Sequence, residues 1–177
     1  MNERQQQLFD QIDAAFAGVE LGDGVSMHET QAIDNYGTGE ERLEARTPDE
    51  KLGWHKLIDE PEITWLLGAG SGMCFLDATG LRFYLPACLS LGVRHPQGGE
   101  GVGDMLWSLE FALVDPSAYS LERLAILNDA QRVCVRDVLI YFRDNRDWDE
   151  PELNQAIAGY WSNGTQRGNG LFGEPEA

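Results

Sequence analysis

Phe75-Leu76-Asp77-Ala78-Thr79-Gly80-Leu81-Arg82-Phe83-Tyr84-Leu85-Pro86-Ala87 is the stretch on which the fold turns. Asp77 stands where a helix N-cap belongs, its carboxylate placed to accept from the free N–H groups of a first turn. The apolar run from Leu81 to Leu85 then gives that helix a side to bury. Pro86 lacks an N–H and restricts Leu85, so the expectation is a kink, or two successive helical pieces with the second running through Leu89 and Leu91. Phe83 and Leu85 are expected to point to the core, and Arg82 has Asp77, five residues earlier, as a carboxylate to pair with. In the other orientation Arg82 and Tyr84 face outward, where arginine and tyrosine are typical binding anchors. Trp54, Asp77, Arg82 and Tyr84 are therefore the interaction candidates.

Helical signals continue on both sides. Leu8, Ile12, Ala15, Phe16 and Val19 repeat at helical spacing across the first twenty residues, and Gly22-Asp23-Gly24 breaks the run. Ser26 followed by Glu29 forms a capping box and predicts a short helix to Asn35, closed by Gly37. Thr47, Pro48 and Glu50 repeat the start signal, for a helix that carries Leu52 and Trp54 inward and stops near Ile58. Ile63–Leu67 is apolar and reads as a short strand or a helical turn. Met105–Leu113 is ambiguous as well: Leu109, Phe111 and Leu113 alternate like a strand, whereas Leu106, Leu109 and Leu113 fit a helix that Asp104 would cap. Asn128 and Gln131 make another capping box, followed by one face of Val135, Val138, Leu139 and Phe142. A last helix starts at Asp149 and Pro151, turns Leu153, Ala156, Ile157, Tyr160 and Trp161 inward, and stops at Gly164.

The central segment resembles the signature of an uncharacterised bacterial domain family, in which Phe-Leu-Asp leads through glycine to Arg-Phe-Tyr-Leu-Pro-Ala. The likeness extends more loosely to Ala32-Ile33-Asp34-Asn35-Tyr36 and to the helix opening at Gln131. It implies a small cytosolic protein and supplies no catalytic residue to carry across.

The chain has 177 residues, five Trp, five Tyr and seven Phe, and an apolar share of 42 %, enough to bury a sizeable core. Thirty acidic residues stand against thirteen basic ones, for a formal charge of −17. The carboxylates divide evenly about Ile63, so no acidic tail accounts for them. Such a surface repels phosphate backbones and anionic lipid, which argues against direct nucleic-acid or membrane binding. It permits a basic protein partner without requiring one, because a solubility or salt-adapted surface has the same composition. Cys74, Cys88 and Cys134 are odd in number and far apart, as expected of buried free thiols in a reducing cytoplasm. Met1–Gln7 lacks the apolar core of a signal peptide, and no apolar run nears the ~18 residues that cross a bilayer.

Candidate chemistry fails on spacing. The glycines of Gly98–Gly103 lack the dinucleotide pattern, and Asp104 stands where a phosphate loop needs lysine. The Gly68–Gly72 run fails in the same way. His28-Glu29 has Ala32, not histidine, four residues on. Counted from Asp147, the acidic cluster has Glu152 where a calcium loop needs glycine and Ala158 where it needs glutamate. His55 and His95 are single histidines. No catalytic residue, cofactor or metal ligand is assigned. The expected fold is mainly α: a single domain over 1–164 of about six helices around one aromatic-rich core, with room for a small β-ribbon, and a flexible tail over 165–177. The expected function is protein–protein binding, for example as an immunity or antitoxin-type inhibitor of a basic partner. An accessory domain with no specific partner, and an enzyme whose carboxylate and histidine site assembles only in the fold, are the alternatives.

Overall fold

The computed structural model describes residues 1–49, 53–60, 62–69, 72–99, 101–114, 117–146 and 150–162. Among these the chain is mainly helical and forms no strand. The order is α1 (Glu3–Ala15), α2 (Met27–Asp34), α3 (Gly39–Arg46), α4 (Trp54–Leu57) and α5 (Glu62–Thr64), then a π-helical turn at Trp65–Ala69. There follow α6 (Gly72–Phe75), α7 (Ala78–Arg94), α8 (Val102–Val114), α9 (Ala118–Leu124), α10 (Asp129–Asn145) and α11 (Glu150–Ala156), closed by a second π-helical turn at Ile157–Trp161. Eleven α-helical segments thus replace the expected six, and the β-ribbon has no counterpart among the described residues. The surplus is in short pieces, which local caps and turns start and stop before any long amphipathic pattern develops. Ile63–Leu67 and Met105–Leu113, ambiguous in sequence, are both helical.

Side-chain caps set the starts. Asn2 with Gln5, Ser26 with Glu29, Thr38 with Glu41 and Asn128 with Gln131 form reciprocal capping boxes, each satisfying free N–H groups at a helix start. Where a helix is expected from Thr47 and Pro48, Asp49 enters a 3-10 turn, and α4 runs from Trp54 to Leu57 beyond three residues that are not described. Thr47 closes α3, and Asp49 turns its carboxylate back to the start of α2. Glu50, Lys51 and Leu52 lie outside the described residues, as do Asp149, Gly164 and the 165–177 tail.

Asp77 caps α7 as expected, accepting from the Gly80 N–H at 2.7 Å. The break at Pro86 does not occur: α7 is one helix of 17 residues with Pro86 inside it. An interior proline costs about 3 kcal/mol, while each large apolar side chain fully buried returns about 1.5–3 kcal/mol. Thirteen residues of α7 are buried, so packing outweighs the missing hydrogen bond. α7 is the central rod, with α1, α4, α8, α9 and α10 packed against it. Phe16, Phe83, Tyr84, Phe142 and Trp161 are among the largest fully buried side chains of the core cluster. No helix among the described residues is long and apolar enough to cross a membrane.

Candidate functional site

An exposed aromatic pair with an open groove beside it lies on α8. The inner side of this helix, including Leu106, Leu109 and Leu113, is fully buried. It packs chiefly against the first π-helical turn, where Gly68 permits the approach: a Cβ there would stand 2.5 Å from the Met105 backbone nitrogen. With that side committed, Trp107 and Phe111 fall on the outside at 67 % and 53 % exposure. Their ring centroids are 6.3 Å apart and their planes lie within 23° of parallel. An open groove runs along them, completed by Glu110, Val114 and, from α11, Glu152. Two large aromatic faces thus lie in water between carboxylates. Glu110 also acts on Arg146, whose guanidinium partial burial pushes below its ordinary range while this carboxylate opposes the shift.

Of the four sequence candidates, two lie in the core. Trp54 is 3 % exposed, its indole N–H donating to the Phe16 carbonyl at 3.2 Å and its ring stacked on His55. Tyr84 is 1 % exposed, and burial raises its phenol far above the ordinary range. Neither meets a partner at the surface. Asp77 does not pair with Arg82: besides capping α7, its carboxylate accepts from the Val25 N–H at 3.0 Å, tying the loop before α2 to the start of α7. Arg82 is half-buried, and its Nε is buried without a hydrogen-bond partner among the described residues.

Several titratable groups pair locally, and Asp49 and Arg46 both act on the buried Tyr84. His28 has Nδ1 2.7 Å from Asp49 and Nε2 3.2 Å from Glu62, and its backbone N–H also donates to Asp49. His55 pairs with Asp13 at 2.6 Å, and His95 ends α7. Among the described residues no three His, Cys, Asp or Glu side chains are arranged to hold a metal ion. Glu29 serves Ser26 as its capping partner and also pairs with Arg42 at 2.7 Å and Arg46 at 3.3 Å, while Arg46 donates to the Gly22 and Gly24 carbonyls. These contacts hold the α2–α3 corner together. Cys88 and Cys134 are buried as expected, but Cys74 is exposed.

The sequence model of a family of unknown function, DUF6714, matches residues 4–165. The chain belongs to this family. The matched span includes all of Phe75–Ala87 and the whole of α8. No curated protein and no solved structure matches the chain.

In this DUF6714 chain the outer face of α8 escaped the sequence reading, although the signal was present. Once Leu106, Leu109 and Leu113 are assigned inward, Trp107 and Phe111, four residues apart, share the opposite side and Glu110 falls at its edge, because residues three and four apart share a helix face. An exposed tryptophan and phenylalanine on one face, with a glutamate between them, is what distinguishes this helix from an ordinary covering helix.

Proposed function

We propose that this DUF6714 chain acts by surface contact with a basic protein partner, in a reducing cytoplasm. The observation that carries the reading is the exposed Trp107–Phe111 pair with Glu110 and Glu152 at its rim. Isolated exposed apolar residues need no explanation, but two adjacent large aromatics leave a sizeable hydrophobic area in water. Tryptophan is among the residues that dominate binding energy at interfaces. The charge of −17 adds long-range attraction for a cationic partner, which raises the rate of encounter and makes it salt-sensitive. An inhibitor of the immunity or antitoxin type, which neutralises a basic toxin, fits both features. No comparable observation favours a partnerless accessory domain or an enzyme built on the separate histidine clusters.

Pull-down from native lysate tests the reading, comparing the wild-type chain with a Trp107→Ser/Phe111→Ser double variant. The wild type should retain a basic protein at low salt and lose it as salt rises. The double variant should bind at least about 30-fold more weakly, the effect of losing a hot spot of ~2 kcal/mol. Equal retention by both proteins would remove the α8 surface from the function.

A further inference from the structure

Resting on the reading above, we infer that the groove on α8 is a clamp for an arginine side chain of the partner, its guanidinium against the faces of Trp107 and Phe111 and Glu152 as its counter-charge. The two rings stand four residues apart on one helix and are close to parallel, so they turn similar faces to one flat group. No cation lies over either ring among the described residues. Two tyrosines elsewhere are covered by the chain's own arginines: Arg123 sits 4.3 Å over Tyr119, and Arg132 sits 4.2 Å over Tyr160. Trp107 and Phe111 offer the same kind of surface with the cation left to come from outside.

The rim selects among occupants. A second copy of the chain would bring −17 against −17, and like charges in an interface cost affinity. A neutral apolar partner would strip water from the groove carboxylates without replacing it, which is unfavourable for an unpaired buried charge. A cation satisfies both the rings and the rim. Between the two basic side chains, arginine is planar and weakly hydrated and stacks on aromatic faces, whereas the lysine ammonium is a compact, strongly hydrated point charge. Glu110 shares its charge with Arg146, so Glu152, which makes no salt bridge among the described residues, is the rim group assigned to the incoming guanidinium.

Calorimetric titration of the full chain with two amidated peptides of equal length and charge, one bearing arginines and the other lysines at the same positions, tests the clamp. The arginine peptide should bind about tenfold more tightly, with Trp107→Ser removing that advantage and Glu152→Gln weakening binding about threefold and reducing its salt dependence. Far-UV circular dichroism of each variant checks that it is folded, and Glu152→Gln, an exposed isosteric change, remains informative if Trp107→Ser is not. Equal affinity for the two peptides, or a Trp107→Ser variant that keeps the arginine preference, overturns the clamp. So does a wild-type dimer that Trp107→Ser converts to monomer in sedimentation, since that assigns the groove to a second copy. The lysate comparison separates the two levels. If the double variant loses the partner while the peptides bind alike, only the arginine assignment fails; if the double variant keeps the partner, the broader reading fails.

Discussion

The phenol oxygen of Tyr84 accepts a hydrogen bond from the backbone N–H of Met27 at 3.0 Å, joining the middle of α7 to the first turn of α2. That N–H is one of the helix-start donors with no partner inside its own helix, and both residues are buried. Tyr84→Phe keeps the ring and leaves the donor unsatisfied, which should cost about 1–3 kcal/mol in denaturant unfolding with an unchanged slope. A variant as stable as the wild type would mean the Met27 N–H finds another acceptor.

Glu29 joins two helices through one carboxylate, capping α2 at Ser26 and pairing with Arg42 and Arg46 of α3. Arg46 is itself buried, so removing Glu29 takes away one of the groups that compensate its charge inside the protein. Glu29→Ala should destabilise the fold by up to about 3–5 kcal/mol, the range for breaking one side of a buried pair, less what the other partners of Arg46 retain. The Arg42–Glu29 pair is more exposed, and Arg42→Ala should cost under about 1 kcal/mol. Thermal melts of the two variants should therefore be well separated, and coincident melts would refute the assignment.

Gly80 sits in the first turn of α7 because the chain before α2 passes directly over it. A Cβ at this position would stand 2.3 Å from the Val25 carbonyl oxygen, a backbone atom with no side-chain freedom to yield. Alanine is ordinarily the better helix former by about 1 kcal/mol. Here Gly80→Ala should instead lower stability, by an overpacking cost of about 1–3 kcal/mol or more. A melting temperature at or above the wild-type value would show that the Val25 loop moves aside freely.

Tyr36 follows α2 with φ +57°, a left-handed conformation that costs a non-glycine residue about 1 kcal/mol, and its side chain is exposed. The Gly37 N–H reaches back to the Ala32 carbonyl at 2.7 Å, so the turn that ends α2 requires this geometry. Tyr36→Gly should raise stability by up to about 1 kcal/mol, less whatever glycine gains in unfolded-state freedom. A clear loss of stability on chemical denaturation would count against strain at this position.

Where the sequence could be read, the information was local. Ser26 with Glu29, Asn128 with Gln131, and Asp77 each make their predicted cap, since a cap depends on residues three apart. The inner face of α10 was legible for a similar reason, its apolar residues repeating at one period. Thr38 with Glu41 carried the same signal for α3 and was passed over because its helix, Gly-Glu-Glu-Arg-Leu-Glu-Ala-Arg, has almost no apolar face to mark it. Pro86 does not divide α7 into two pieces, because its cost is local while the burial that overrides it comes from five other helices. Trp54 points inward as its helix pattern implies, and of the two orientations open to Tyr84 the inward one holds; each hides a polar atom by a hydrogen bond to distant backbone, at Phe16 and Met27. Pairings across such separations leave no pattern in the chain.

The thiols give a prediction with a definite sign. Burial pushes both Cys88 and Cys134 up to about 12 from an ordinary value of 9.0, with Asp137 adding to the effect at Cys134. At pH 8 the native chain should therefore release about one equivalent of colour with an aromatic disulfide reagent, from exposed Cys74, and three once unfolded. Because the folded values are raised, the neutral thiols favour the native state fully below about pH 9 and progressively less above it. Between pH 9 and 12 the unfolded chain ionises and the folded one does not, so each thiol removes on the order of 1.4 kcal/mol of stability per pH unit. The buried Tyr84 phenol, raised in the same direction, adds to the loss once unfolded tyrosine begins to ionise near pH 10. Denaturant midpoints should fall steeply above pH 9, and Cys134→Ala, though less stable at neutral pH, should show a shallower fall. A pH dependence identical to wild type would mean that Cys134 ionises as readily folded as unfolded, contrary to its burial.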